Sequence, residues 1–257
     1  MTPRWVVYDE PAGGGGGGPW DPSQLSTLAA WYDADAITGL SSGQTLSTWA
    51  DSAGSNDVSG SGTYNTPVLN GKAAISFDGN TDDFSVTNSD VLNAAPDAWM
   101  YAVWKGDASN NAFLGYVSDA AAANSLFAIQ PRFNGIYWFR TQNAALVAAS
   151  GGSINNGTWS IVGMRTDGAT QFAYEDGAAL SLGNPTVPSG FPSQTAALLA
   201  IGNDNFGNHL DGSIAELLIG NGALTNTERE QLDGYLAHKW GLAGNLPVSH
   251  PYKNAAP

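Results

Sequence analysis

The chain has 257 residues, of which 23 are acidic and 9 are basic, so its formal net charge is −14. It contains no cysteine, which excludes a disulfide framework and a cysteine-based metal cluster. The shortage of Lys and Arg argues against nucleic-acid binding, because phosphate recognition needs clustered positive charge. No apolar run is long enough for a membrane-spanning helix, and the start, MTPRWVVYDE, lacks the apolar core of a signal peptide.

The first 20 residues differ in composition from the rest. A short apolar, β-prone segment is followed by an unbroken glycine run at 13–18, which behaves as a flexible tether. An apolar peptide on such a tether either stays in solvent or docks on another surface. We predict docking: residues 1–20 are an anchoring arm, and residues 21–257 form the folded domain. The residues predicted to contact the partner are Trp5, Val6, Val7, Tyr8 and Trp20.

From residue 21 onward, short segments rich in aromatic and β-branched residues alternate with turns of Gly, Asn, Asp and Ser, a pattern that predicts β-strands. The predicted strands are 73–77, 84–87, 99–104, 112–117, 125–130, 136–140, 159–165, 171–175, 197–201 and 213–219. Two dipeptides, Asn134-Gly135 and Asp176-Gly177, predict hairpin turns, since their residues tolerate positive φ.

One helix is predicted near the end of the chain. Thr225 and Glu228 have the spacing of a capping box, and Gly241 suits the left-handed position that follows a helix. The apolar stripe of this helix consists of Leu232, Tyr235, Leu236 and Trp240. Many strands, one late helix and no strand–helix alternation predict an all-β, two-sheet sandwich with jelly-roll connections.

Five segments together carry a resemblance to a known family: LAAWYDA at 28–34, WADSAG at 49–54, GKAAISFDG at 71–79, LDGSIAELLI at 210–219, and a closing segment within 224–252 that contains YLAHKWGL. The series resembles a LamG-like module of the concanavalin A-like lectin/glucanase superfamily, over about residues 25–253. The resemblance implies a curved jelly-roll sandwich that often binds sugars at its rim loops and sometimes holds a structural calcium ion.

Modules of this kind are similar to parts of tail-fibre, head-fibre and decoration proteins of tailed phages. With the arm, the resemblance implies a non-enzymatic protein on the exposed virion surface. It would be anchored to capsid or tail proteins and display a lectin-like domain to host surface polysaccharide. It would bind no nucleic acid, would not insert into a membrane, and its oligomeric state, including a homo-oligomer, stays open. The alternatives are a free carbohydrate-binding lectin module and, less favoured, a glycosidase.

No catalytic residue is predicted. Glucanases of this superfamily carry Glu-x-Asp-x-x-Glu on one strand, and the five glutamates of this chain do not form that pattern. One of them, Glu216, stands alone among apolar neighbours. The chain also lacks a Gly-x-Ser-x-Gly elbow and a His-Glu-x-x-His motif.

The loop at 202–211 is dense in oxygen donors, and calcium binding, ordinary turn formation and sugar contact are all open for it. Its candidate calcium ligands are Asn203, Asp204, Asn205 and Asp211, and calcium is the one cofactor considered. The candidate glycan-binding residues are Tyr137, Trp138, Arg140, Asn208 and His209, because sugars stack on aromatic rings and pair with amide and charged groups. Five tryptophans are predicted to lie in the core: Trp31, Trp49, Trp99, Trp104 and Trp159.

Overall fold

The computed structural model describes residues 19–106, 112–119, 125–132, 137–143, 145–154, 157–183, 185–186, 190–191, 197–203 and 207–257. The predicted anchoring residues Trp5, Val6, Val7 and Tyr8 lie outside the described residues, as does the Asn134-Gly135 turn.

Within these ranges the chain forms fifteen strands and one α-helix. The strands are β1 Leu28–Asp33, β2 Gln44–Trp49, β3 Val58–Leu69, β4 Lys72–Asp78, β5 Asp83–Ser89, β6 Ala98–Gly106, β7 Gly115–Asp119, β8 Ser125–Pro131, β9 Tyr137–Asn143, β10 Ala145–Gly151, β11 Ser160–Asp167, β12 Thr170–Glu175, β13 Ala178–Ala179, β14 Ala197–Ile201 and β15 Asp211–Asn221. The helix, α1, spans Asn226–Lys239, and short 3₁₀ turns lie at Pro22–Gln24, Ala34–Ala36 and Ala243–Asn245.

All the described strand pairs are antiparallel and follow one path, β10-β9-β8-β7-β14-β5-β3-β4-β15-β6-β11-β12-β13, with β1 beside β15 and β2 beside β3. The first layer runs along this path from β10 to β5, and the second layer runs from β4 to β13. The long strand β3 joins the two layers, because its residues 59–61 pair with β5 and its residues from 63 onward pair with β4. Gly62 lies at this crossing, where a Cβ atom would come within 2.6 Å of Ile75 and 2.9 Å of Phe84. The predicted all-β sandwich is therefore confirmed at the level of strands and layers.

The main core fills the space between the layers. Phe127 and Leu199 from one layer join Met100, Ile214 and Leu217 from the other in a single buried cluster. Burial of this apolar surface is the dominant favourable term in folding. Of the tryptophans predicted for the core, Trp49, Trp99 and Trp104 are buried, whereas Trp31 and Trp159 are half-buried.

The helix begins as predicted. The Thr225 Oγ1 accepts the Glu228 N–H at 3.2 Å, and the Glu228 carboxylate accepts the Thr225 N–H at 2.9 Å, which completes the capping box. The apolar side of α1, including Leu232 and Leu236, packs on Tyr101 and its buried neighbours on the outer face of the second layer. Among the described residues, no helix is both long and apolar enough to cross a bilayer.

The carboxylate of Glu216, fully buried on β15, joins three elements. It accepts the indole N–H of Trp31 from β1 at 2.6 Å and that of Trp240, just after α1, at 2.5 Å. The Lys239 ammonium lies 2.9 Å from the same carboxylate and 2.7 Å from Asp33. Burial raises the pKa of Glu216, while the positive charge of Lys239 opposes that shift. Glu216 therefore has a full set of polar partners, although its sequence neighbours are apolar.

Trp20, one of the predicted anchoring residues, packs within its own domain. Its ring meets the Tyr235 ring of α1 edge-on, with centroids 6.0 Å apart, and it lies against the buried cluster beneath the helix. The anchoring role of Trp20 stays a prediction.

We expect the substitution Glu216→Gln to lower the free energy of unfolding by about 3 kcal/mol, because removing one partner leaves the buried Lys239 charge under-compensated. A glutamine also turns an amide N–H₂ toward indole N–H donors, which cannot accept it. Urea unfolding measures the loss. The matched control is Asp35→Asn, which breaks the solvent-accessible 2.7 Å ion pair with Lys72 and is expected to cost below about 1 kcal/mol. Equal losses in the two variants would contradict the role given to Glu216.

Candidate functional site

A cavity of about 420 Å³ opens beside β2. In the described strand pairing, β2 pairs with β3 on one side and with no strand on the other. This volume lies within the range of small-ligand sites. The walls come from β2, from the 3₁₀ turn at Ala34–Ala36 with the loop that follows it, and from the ends of neighbouring segments at Asp33 and Ser52.

The shape of the cavity depends on an irregularity in β2. The register between β2 and β3 shifts between Leu46 and Thr48, so that Leu46 and Trp49 are buried while Ser47 and Thr48 are both exposed. A bulge of this kind breaks the in–out alternation and re-aims side chains. Two consecutive hydroxyl side chains therefore stand on the cavity wall.

The cavity wall combines hydroxyl groups with apolar groups. The hydroxyl-bearing residues are Thr38, Thr45, Ser47, Thr48 and Ser52. The larger apolar residues are Ile37, Leu40, Leu46 and Trp49. Such a wall offers donors, acceptors and a hydrophobic surface to one ligand.

Trp49 contributes a polar atom without a partner. Its side chain is 1% exposed, and its ring packs edge-on against Tyr32 and Phe84 with centroids 5.9 Å away in each case. Its buried Nε1–H has no hydrogen-bond partner among the described residues. Buried indole N–H groups are normally paired, and because this one is shielded from solvent it does not open onto the cavity.

The described cavity wall carries one charged side chain, that of Asp33, and no Lys, Arg or His. The Asp33 carboxylate accepts the Asp35 N–H at 2.9 Å, which caps the 3₁₀ turn, and it contacts Lys239 at 2.7 Å. The positive charge of Lys239, which does not line the cavity, therefore compensates the negative charge of Asp33.

A second polar cluster lies where the 202–211 loop meets the start of β5. Two of the predicted residues, Asn203 and His209, form an isolated antiparallel bridge. Asp83 accepts the side-chain N–H of Asn203 at 2.5 Å and lies 3.4 Å from Nδ1 of His209. Asp83 was not predicted, because an aspartate at a strand end is typical of ordinary turns. These contacts fasten the loop to β5.

Nothing in the described part of the chain forms a metal centre: no three His, Cys, Asp or Glu side chains there come close enough to hold an ion. Of the predicted calcium ligands, Asp204 and Asn205 lie outside the described residues, and Asp211 begins β15 opposite Asp78. The calcium site stays a prediction. Asn208, predicted for glycan contact, is half-buried in the same loop.

The glycan-contact prediction is wrong for Tyr137. Its side chain is 0% exposed, its hydroxyl accepts the indole N–H of Trp104 at 3.0 Å, and burial raises its pKa. A ring enclosed between the layers cannot stack on a sugar. The side chains of Trp138 and Arg140 lie outside the described residues, although their backbone belongs to β9.

No protein-family model and no curated protein sequence matches the chain. Solved structures do resemble it. Domain 4 of AbnA, a GH43 extracellular arabinanase from Geobacillus stearothermophilus solved with arabinotriose, is 17% identical, with a TM-score of 0.59 over 80% of this chain and 98% of that domain. A Trypanosoma rangeli sialidase bound to the inhibitor DANA is 14% identical, with a TM-score of 0.59 over 82% of this chain. The chain spans 33% of that sialidase.

A third similar structure is a botulinum neurotoxin type C chain, whose cell entry depends on interaction with two ganglioside molecules. It is 14% identical, with a TM-score of 0.54, and 82% of this chain covers 51% of it. At such identities the likeness establishes the fold, an all-β sandwich shared with domains of glycan-active proteins.

These comparisons correct the functional class expected from the sequence. The predicted class, a non-enzymatic phage virion protein, is wrong, because the similar structures are parts of glycosidases and of a ganglioside-dependent toxin. The arm and the phage resemblance misled the prediction, since the same sandwich serves many unrelated functions.

We expect Asp83→Ala to lower the free energy of unfolding by about 2 kcal/mol, because it removes the hydrogen bond from the Asn203 side chain and the contact with His209. Hydrogen exchange at the Leu210 amide, which bonds the Gly202 carbonyl at 2.8 Å, should also speed up. The control is Asp167→Ala, in which the lost carboxylate is 68% exposed and should cost about 0.5 kcal/mol or less. Unchanged exchange in Asp83→Ala would show that the cluster does not hold the loop.

Proposed function

We propose that the chain is a glycan-binding β-sandwich domain that takes part in oligosaccharide recognition and processing, and that the cavity beside β2 is its binding site. The observation that carries the proposal is the likeness to the arabinanase domain, which the chain covers almost completely and which was solved with a bound trisaccharide. As the finer part of the proposal, the strands follow the jelly-roll connections of LamG-like, concanavalin A-like modules.

The chemistry of the cavity supports this function. Sugar hydroxyls both donate and accept hydrogen bonds, and serine and threonine hydroxyls rotate to do the same. Sugar rings also present C–H faces, which suit the apolar wall formed by Ile37, Leu40 and Leu46. A volume of about 420 Å³ accommodates a small part of an oligosaccharide, with the remainder of the glycan lying outside.

We expect arabinotriose to bind with a dissociation constant of about 1 mM or tighter, as measured by calorimetric or NMR titration. Ser47→Trp should weaken binding about tenfold or more, because the indole ring occupies the cavity. The matched control is Ser249→Trp, an exposed serine near the C-terminus that does not line the cavity. Reducing ends released from the trisaccharide are measured in parallel, so that binding and hydrolysis are recorded separately.

Three outcomes decide the proposal. Loss of binding in Ser47→Trp alone supports the cavity. Equal loss in Ser249→Trp, with retained stability, rejects the cavity as the binding site. Failure of arabinotriose and of a broad glycan panel to bind the wild-type protein rejects the proposed function itself.

A further inference from the structure

We infer that Lys239 is a positioning residue of the cavity beside β2: by holding the carboxylate of Asp33, it fixes the place of the turn whose following loop lines the cavity. Lys239 itself does not line the cavity, so it acts on a ligand only through Asp33. The inference rests on the proposed function, because the ligand whose affinity it concerns is the glycan assigned to that cavity.

Asp33 connects the lysine to the cavity wall. One of its carboxylate oxygens, Oδ1, accepts the Asp35 N–H at 2.9 Å and so caps the 3₁₀ turn at Ala34–Ala36. The loop after this turn lines the cavity. The other oxygen, Oδ2, lies 2.7 Å from the Lys239 ammonium. The two oxygens of one side chain therefore link the turn to the C-terminal end of α1.

The lysine also separates two negative charges. Its ammonium lies 2.9 Å from the fully buried carboxylate of Glu216, which does not line the cavity. Burial raises the pKa of Glu216, Lys239 opposes that shift, and the charge of Asp33 adds to it, so the two carboxylates repel each other. Without the ammonium, Asp33, whose side chain is 12% exposed, would relieve this repulsion by turning toward solvent. The turn would then lose its cap.

The strand that carries Asp33 is fixed independently of the lysine. The Glu216 carboxylate accepts the indole N–H of Trp31, on β1, at 2.6 Å. The backbone carbonyl of Trp31 accepts the N–H of Ser52, which lines the cavity, at 2.8 Å. Because β1 is held at Trp31 in this way, loss of the lysine should move the Asp33 side chain and the turn, and leave the strand in place.

The experiment is a double-mutant cycle on arabinotriose binding, with Lys239→Met, Asp33→Asn and the two combined. Lys239→Met should weaken binding about tenfold, because the turn loses its fixed position. In the Asp33→Asn background, where the ion pair is already broken, the same substitution should weaken binding about twofold or less, since residues that act through each other are not additive. Urea unfolding of each variant ensures that affinities are compared on folded protein. Equal losses in both backgrounds overturn the inference.

The control for a lost lysine is Lys72→Met, which removes an ammonium 2.7 Å from Asp35 on the same turn, in an ion pair that solvent reaches. It should change the affinity by about twofold or less. A loss as large as that in Lys239→Met would overturn the inference. If Lys239→Met does not fold, the cycle is run in the Glu216→Gln background, which removes the buried charge that Lys239 compensates.

The turn can also be followed without a ligand. The Asp35 N–H bonds Asp33, and the Ile37 N–H bonds the Ala34 carbonyl at 3.4 Å. In NMR spectra these two amide signals should shift more in Lys239→Met than in Lys72→Met, and unchanged signals in Lys239→Met overturn the inference alone. If arabinotriose and a broad glycan panel fail to bind the wild-type protein, the proposed function fails, and these shifts still decide whether Lys239 positions the turn.

Discussion

The fully buried carboxylate of Glu216 on β15 decides how helix α1 sits against the sheet. An ionised group so far from water is tolerated when its charge is paired and its lone pairs are hydrogen-bonded. Trp31, Trp240 and Lys239 meet these needs, and they come from β1 and from the C-terminal end of α1. The helix is therefore fixed in rotation and in axial position by polar contacts, in addition to the apolar contacts beneath it. Replacing the carboxylate disturbs two strands and a helix at once.

The same polar network extends to the proposed binding site. Lys239 also contacts Asp33, whose carboxylate both caps the 3₁₀ turn and stands on the wall of the cavity. Lys239, at the end of α1, thus supplies the positive charge that pairs with Asp33 on the cavity wall. One lysine therefore contacts both the buried Glu216 beneath the helix and a residue of the cavity wall. The stability of the domain and the structure of the cavity wall are in this way physically coupled.

Local signals in the sequence predicted much of the fold. The capping box at Thr225 and the strands with clear alternation, such as β4 and β5, appear where expected, and Asp176 and Gly177 take positive φ in the predicted hairpin. Strand β3 was missed, because its Ser, Gly and Pro content is typical of loops and its strand structure comes from pairing with three neighbours.

The candidate site was harder to predict than the fold. The sequence alone could not show whether Tyr137 or Trp138 points outward, because it does not reveal which side of β9 faces the core. The cavity depends on a register shift in β2, and the missing partner of the Trp49 N–H depends on three-dimensional packing. Neither feature can be recognised from the sequence alone. The comparison with solved structures overturned the functional class that the phage resemblance had implied.

The bulge in β2 has a consequence for self-association. A regular strand with one unpaired side is a template for another chain, and such pairing begins many aggregates. The register shift between Leu46 and Thr48 spoils the even spacing that an incoming strand would need. The register shift that shapes the cavity would therefore also protect the edge strand β2 against pairing with a second molecule at high protein concentration.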